Sequence, residues 1–136
     1  MRPILIDTNA YAAFKRGAVE VIDIIRSVDK IIMSPIVVGE LLSGFDHGKK
    51  AKQNRKELRQ FLESDRVNIY PITFDTGNFY SQVYLSLKRR GCPIPTNDMW
   101  IAAQALEYGC MVCTYDKHFQ AIDGLLIGTT MDDLLL

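Results

Sequence analysis

Five short apolar runs, separated by stretches with helical periodicity, constrain this chain more than any other feature. They are Ile4-Leu5-Ile6, Ile31-Ile32-Met33, Val67-Asn68-Ile69-Tyr70, Met111-Val112-Cys113-Thr114 and Leu125-Leu126-Ile127. Ile4-Leu5-Ile6, three aliphatic residues in a row, signals a strand buried on both faces, as in a parallel sheet, and Ile31-Ile32-Met33 a second short buried strand. Between the five runs, the apolar spacing predicts helices over residues 10–15, 18–27, 35–45, 51–64, 73–90 and 97–108. Ser34-Pro35 reads as an N-cap followed by proline at the first helical position. Thr73 and Thr96 read as further N-caps, and Gly91 and Gly109 as helix ends. Alternating strands and helices argue for an α/β fold around a parallel sheet. At 136 residues the expected organisation is one domain, residues 1–136. It should have three layers, α/β/α, with about five strands.

The acids stand where such a fold puts ligands. In an open parallel sheet, binding sites form at the C-terminal ends of the strands. Asp7 closes the first run, and Thr8 and Asn9 add side-chain oxygens beside it. Asp is also a common helix cap, so Asp7 alone decides nothing. Glu40 lies four residues after Ile36, three after Val37 and four before Gly44. That spacing sets a carboxylate among apolar and small residues on one helix face, an expensive choice unless something pairs with it. Asp98 stands at the second expected position of its helix, above Ile101, Ala102 and Ala105 on the buried stripe. Asp116 follows the fourth run. With parallel strands and right-handed crossovers, Asp7 and Asp116 end strands on one edge, and Glu40 and Asp98 occupy first turns of helices leaving that edge. Four like charges on one rim raise the energy of the fold. A hard divalent cation offsets that repulsion, and an oxygen-only donor set suits Mg²⁺ or Mn²⁺. One or two such ions support phosphoryl transfer to water.

The remaining features are less informative. The three cysteines, Cys92, Cys110 and Cys113, form no disulfide framework. Cys110 and Cys113 are three apart on a strand-like stretch, point to opposite faces and read as packing residues. His47 and His118 fall in loop-like stretches, ordinarily a surface setting, although His118 follows Asp116 closely enough to touch a substrate. A formal net charge of zero leaves nucleic-acid binding open, because distribution matters more than the sum. Lys49, Lys50, Lys52, Arg55, Lys56 and Arg59 make the helix at 51–64 and its approach basic. That cluster is either a solvated face or a phosphate- or partner-contacting surface, with Lys52, Arg55 and Arg59 the residues to test. No apolar run approaches the ~20 residues that span a membrane, and residues 3–6 are too short for a signal-peptide core. A cytoplasmic location is expected.

Taken together, Ile6-Asp7-Thr8-Asn9, the helical Glu40, Thr96-Asn97-Asp98 with Ile101-Ala102-Ala103, and Thr114-Tyr115-Asp116-Lys117-His118-Phe119 resemble a PIN domain. In particular they resemble the VapC-type ribonuclease toxins of prokaryotic toxin–antitoxin pairs. The resemblance covers essentially the whole chain, and the acids occur in the family's order. It carries the family's catalytic and metal-holding acids onto Asp7, Glu40, Asp98 and Asp116, and its polar helpers onto Asn9 and Thr114. It implies a PIN-like fold, Mg²⁺- or Mn²⁺-dependent endonucleolytic cleavage of RNA, a homodimer, and a small antitoxin that blocks the site. Single-stranded loops of tRNA or rRNA are suitable targets, because their bases are unstacked. Two other functions remain open at this point. One is a different phosphoryl-transfer enzyme on a similar sheet, although the aspartyl-phosphatase pattern wants a second Asp where Asn9 stands. The other is a non-catalytic nucleic-acid-binding module using the basic helix, which leaves the four acids unexplained.

Overall fold

Each of the five apolar runs is a strand in the computed structural model, which describes residues 1–135. They are β1 (Ile4–Ile6), β2 (Ile31–Met33), β3 (Val67–Ile69), β4 (Met111–Cys113) and β5 (Leu126–Gly128). All pair in parallel, in the order β3-β2-β1-β4-β5. Every residue of β1, β2 and β4 is buried, as runs without polar alternation require. β5 starts one residue later than expected. It is a half-buried edge strand, so its register is fixed by pairing with β4, Cys113 opposite Gly128, and not by its own hydrophobicity.

The helices are α1 (Thr8–Lys15), α2 (Val19–Ser27), α3 (Pro35–Asp46), α4 (Ala51–Leu62), α5 (Phe74–Arg90), α6 (Thr96–Tyr108) and α7 (Met131–Leu134). Right-handed crossovers between parallel strands place the connecting helices on both faces of the sheet, which gives the three layers. The start of α3 is as expected: Ser34 Oγ accepts from the Ile36 N–H, and Pro35 is the first helical residue. α5 opens with a reciprocal Thr73–Thr76 capping box and ends on Gly91, whose φ of 65° is left-handed. Lys88, Arg89 and Arg90 fill its last turn, where the helix dipole favours cations. α6 begins differently. Pro95 in extended geometry is its N-cap, Thr96 is already helical, and no side chain caps the turn. Asp98 is therefore the third helical residue. Residues 131–134 near the C-terminus form α7. Thr130 and Asp133 form a second capping box, and Leu134 is buried while Leu135 is exposed. Leu136 lies outside the described residues.

One core joins the sheet to its helices: Ile4, Leu5 and Ile6 of β1, Ile24 of α2 and Ile101 of α6 have no exposed surface. Each such side chain contributes about 1.5–3 kcal/mol relative to exposure. Cys110 and Cys113 belong to this core as free thiols. Burial pushes both thiol pKa values up to about 12, so they are packing groups and not nucleophiles. No helix among the described residues is long and apolar enough to cross a membrane.

Candidate active site

Strand order decides where a site can form. From β1 the chain moves outward to β2 and β3, then returns to lay β4 on the other side of β1. Connections leave in opposite directions from β1 and β4, and a crevice opens at their C-terminal ends. Ile6 pairs with Cys113, and the Asp7 N–H donates to the Cys113 carbonyl at 3.0 Å. The next residues on the two strands, Asp7 and Thr114, therefore meet in that crevice.

Asp7 both caps a helix and faces the site. Oδ1 accepts from the Thr8 N–H at 2.9 Å, closing the start of α1. Oδ2 accepts from the Thr114 hydroxyl at 2.7 Å and from the Asn9 amide at 3.3 Å. Thr114 also accepts from the Asn9 amide at 3.2 Å and from the Asp116 N–H at 3.0 Å. Asn9 Oδ1 in turn accepts from the Tyr115 N–H at 2.9 Å. Asp7, Asn9, Thr114 and the start of the segment after β4 thus form one network. Thr114 links its parts across 107 residues of sequence.

A second network fixes the other acids. Thr8 Oγ1 donates to Glu40 Oε1 at 2.7 Å, and the Asn97 amide donates to Oε2 at 3.3 Å. Both oxygens of Glu40 are held, which pairs the carboxylate on the packed face. Glu40 is the sixth residue of α3, so it lies in the second turn and not the first. It still reaches the crevice because Thr8 leans toward it from α1. Asp98, only 8 % exposed, meets His118 Nδ1 at 3.2 Å, and the same nitrogen lies 3.1 Å from Asp116 Oδ1. The Asp116 carboxylate also caps the 3₁₀ turn Lys117–Ala121 by accepting from the His118 N–H.

Burial lifts Asp7 above its ordinary value of 3.8, although donation by Thr114 and Thr8 opposes it; the charges of Asp98 and Glu40 raise it further. Burial also lifts Asp98, opposed by its hydrogen bond to His118 and reinforced by the charges of Asp116 and Glu40. Asp7 is thus within electrostatic reach of Asp98 and Glu40, and Asp98 of Asp116 and Glu40. Ligand atoms of Asp98, Asp116 and His118 lie within 4.8 Å of one another. Buried carboxylates facing carboxylates, with few cationic neighbours, are the donor set that suits a divalent cation.

Asp7, Glu40, Asp98, Asp116, Asn9 and Thr114 converge as expected from the sequence. Lys52, Arg55 and Arg59 do not join them. They are exposed on α4, where Arg55 forms a two-pronged pair with Asp46 at 2.8 and 3.1 Å. Three further residues take part, Thr8, Asn97 and His118. The sequence marks Thr8 and Asn97 by their adjacency to Asp7 and Asp98, and His118 by its closeness to Asp116; their partners appear only in the folded chain. His118, in a stretch whose composition suggests surface, sits between two of the acids.

A model of the PIN domain family matches residues 4–125. Ribonuclease VapC1 of Haemophilus influenzae strain R2866 is 32 % identical over 98 residues, covering 71 % of this chain and 72 % of that one. Ribonuclease VapC1 of Rickettsia felis is 31 % identical over 129 residues, 93 % of this chain and 95 % of its own. Among solved structures, VapBC2 from Rickettsia felis bound to a DNA fragment from its promoter superimposes with a TM-score of 0.81 at 25 % identity. That match covers 93 % of this chain and 97 % of the other.

Proposed function

The chain belongs to the PIN-domain family, and we propose that it is a VapC-type endoribonuclease, the toxin of a toxin–antitoxin pair. The observation that carries this reading is the meeting of Asp7, Glu40, Asp98 and Asp116 at the crevice between β1 and β4, with two of them lifted by burial. Asp7, Asp98, Asp116 and Glu40 would hold Mg²⁺ or Mn²⁺; of these, Asp98 and Asp116 already have ligand atoms within 4.8 Å of each other and of a His118 nitrogen. A divalent cation there supplies activation of water and charge stabilisation at the phosphate. The chain's own residues do the rest. Thr114 and Asn9 orient Asp7, Thr8 and Asn97 orient Glu40, and the 3₁₀ turn fixes Asp116. Water's oxygen bonds to phosphorus, one phosphorus–oxygen ester bond breaks, and the proton leaves to the departing oxygen or the solvent. A phospho-aspartate mechanism is disfavoured, because Asn9 stands where it needs its second acid and both ends of that amide are engaged.

The proposed substrate is single-stranded RNA in the loops of tRNA or rRNA, where bases are accessible. The similarity to VapBC2 supports a small antitoxin as partner. A homodimer is the further expectation. It is supported by exposed Tyr84 and Leu85 on α5 and by a 330 Å³ groove lined by Tyr84, Leu87, Ile94 and Met99.

Purified protein should cut RNA with Mg²⁺ or Mn²⁺ and stop in EDTA, activity returning when metal is restored. Full cleavage after exhaustive chelation would sink the metal mechanism. Neutralising Lys52, Arg55 and Arg59 together should flatten the salt dependence of RNA or antitoxin binding by about one slope unit per lost phosphate contact. Because Arg55 is already paired with Asp46, Lys52 and Arg59 should account for most of the change. Unchanged slopes for both ligands would make α4 a solvated face.

A further inference from the structure

Beside the acids lies a second concavity of 290 Å³, bounded by Tyr115, Lys117, Gln120, Thr129 and Asp133, and sharing Thr114 and Asp116 with the site. Tyr115 is one of its lining residues. Tyr115 is 45 % exposed, yet both its ends are tied down. The backbone N–H donates to Asn9 Oδ1 at 2.9 Å, and the hydroxyl donates to Glu20 Oε1 at 2.6 Å. Its ring is therefore a fixed apolar face at the edge of the acid cluster, with its ordering already accomplished before anything binds. Asp133, another lining residue, is equally fixed, since its carboxylate accepts from the N–H groups of Thr129 and Thr130 at 3.0 and 3.1 Å. Lys117 and Gln120, both exposed, add a cation and an amide to the rim.

We propose that this groove receives one unstacked nucleobase of the RNA, flanking the phosphate held at the acids and stacked on Tyr115. The inference rests on the ribonuclease reading and deepens it by naming a base subsite. Continuity carries it. A strand whose phosphate lies against Asp116 must pass the groove that Asp116 also lines, and its neighbouring base then meets a ring rather than water. Splayed bases of loop RNA bind in this way, on aromatic faces with amide groups reading their edges. Lys117 is placed for the adjoining phosphate, and Gln120 for a base edge.

The test measures binding with Asp98→Asn protein, so that no RNA is consumed. A short fluorescein-labelled oligoribonucleotide carries one abasic ribose, moved along its length, and affinity is read by anisotropy. At one position the missing base should weaken binding about 5- to 150-fold, the range expected for one lost base–aromatic stack. Adding Tyr115→Ala should weaken intact RNA similarly and make that abasic position silent. Tyr115→Phe should keep the discrimination, because it retains the ring. Gln120→Ala should change which base is preferred there without silencing the position. If the losses from Tyr115→Ala and the abasic site simply add, or if no position responds, the subsite is overturned. If wild type fails to cut RNA in Mn²⁺ while this coupling persists, the catalytic reading fails and the subsite stands. If wild type cuts RNA and the coupling is missing, the subsite fails and the catalytic reading stands.

Discussion

Asp98→Asn should abolish RNA cleavage and, in EDTA at neutral pH, should melt higher than wild type. Both expectations follow from where Asp98 sits. Its carboxylate is buried, beside Asp116 and Glu40, and the one basic side chain paired with it among the described residues is the half-exposed imidazole of His118. Its folded pKa is raised, as is that of Asp7. A raised carboxyl pKa means that folding favours the protonated form. The associated stability is complete below the ordinary 3.8 and is lost as pH rises through the raised values, so at neutral pH both charges weigh against the fold. Asparagine keeps the shape and removes one charge. Relief of one close, solvated repulsion is about 1 kcal/mol, which corresponds to roughly 3 °C in a chain of this size. Against this stands the loss of an anion in the uncapped first turn of α6, about 0.3–1 kcal/mol. Repulsion should win, because three other acids contribute to it.

Added Mn²⁺ should reverse the ranking. A ligand at a hundred times its dissociation constant stabilises by ~2.7 kcal/mol, and wild type should gain more than the variant. The gain should shrink on acidification, because the ligands must be ionised to bind. Thermal unfolding of both proteins in EDTA and in Mn²⁺ decides the matter. A variant that melts lower in EDTA, or responds to Mn²⁺ as wild type does, would return Asp98 to the role of helix-start anion.

Thr114→Val should do the opposite to stability while also depressing cleavage. Valine fills the same buried space, so packing survives. What disappears is a hydroxyl that donates to Asp7 and accepts from Asn9 and from the Asp116 N–H. Leaving such buried groups unsatisfied costs about 1–3 kcal/mol. Donation by Thr114 opposes the burial-driven rise at Asp7, so its loss should lift that carboxyl further. The Mn²⁺-induced rise in melting temperature should then fade at a higher pH than in wild type as the solution is acidified. Groups that orient metal ligands typically change affinity or activity by about 10–100-fold, and cleavage should fall by that order. Thr114→Ser should restore both properties. Urea unfolding in EDTA, paired with cleavage rates, tests this; a valine variant as stable and as active as wild type would make Thr114 a bystander.

Local physics explains what the sequence determined alone. Buried strands need uninterrupted apolar runs, which mark β1, β2 and β4; β3, with Asn68 and Ile69 exposed, and half-buried β5 are edge strands marked by shorter or broken runs. Ser34-Pro35 and Thr73 announce helix starts because caps act within four residues of chain. α7 is not expected from the sequence, because a four-residue helix is too short for apolar periodicity to reveal; its Thr130–Asp133 box appears in the structure. Asp7, Asp98 and Asp116 are legible because strand ends and helix starts fall on one edge of any parallel sheet. Tertiary structure alone decided the rest. No local propensity specifies that β4 pairs with β1, yet that pairing brings Thr114 onto Asp7 across 107 residues. Glu40 serves from a second turn because Thr8, 32 residues away, reaches it. His118 becomes part of the site only when α6 and the 3₁₀ turn bring Asp98 and Asp116 to the same nitrogen. Such contacts depend on which distant segments pack together, information that resides in the cooperative burial of the whole core and in no single stretch of chain.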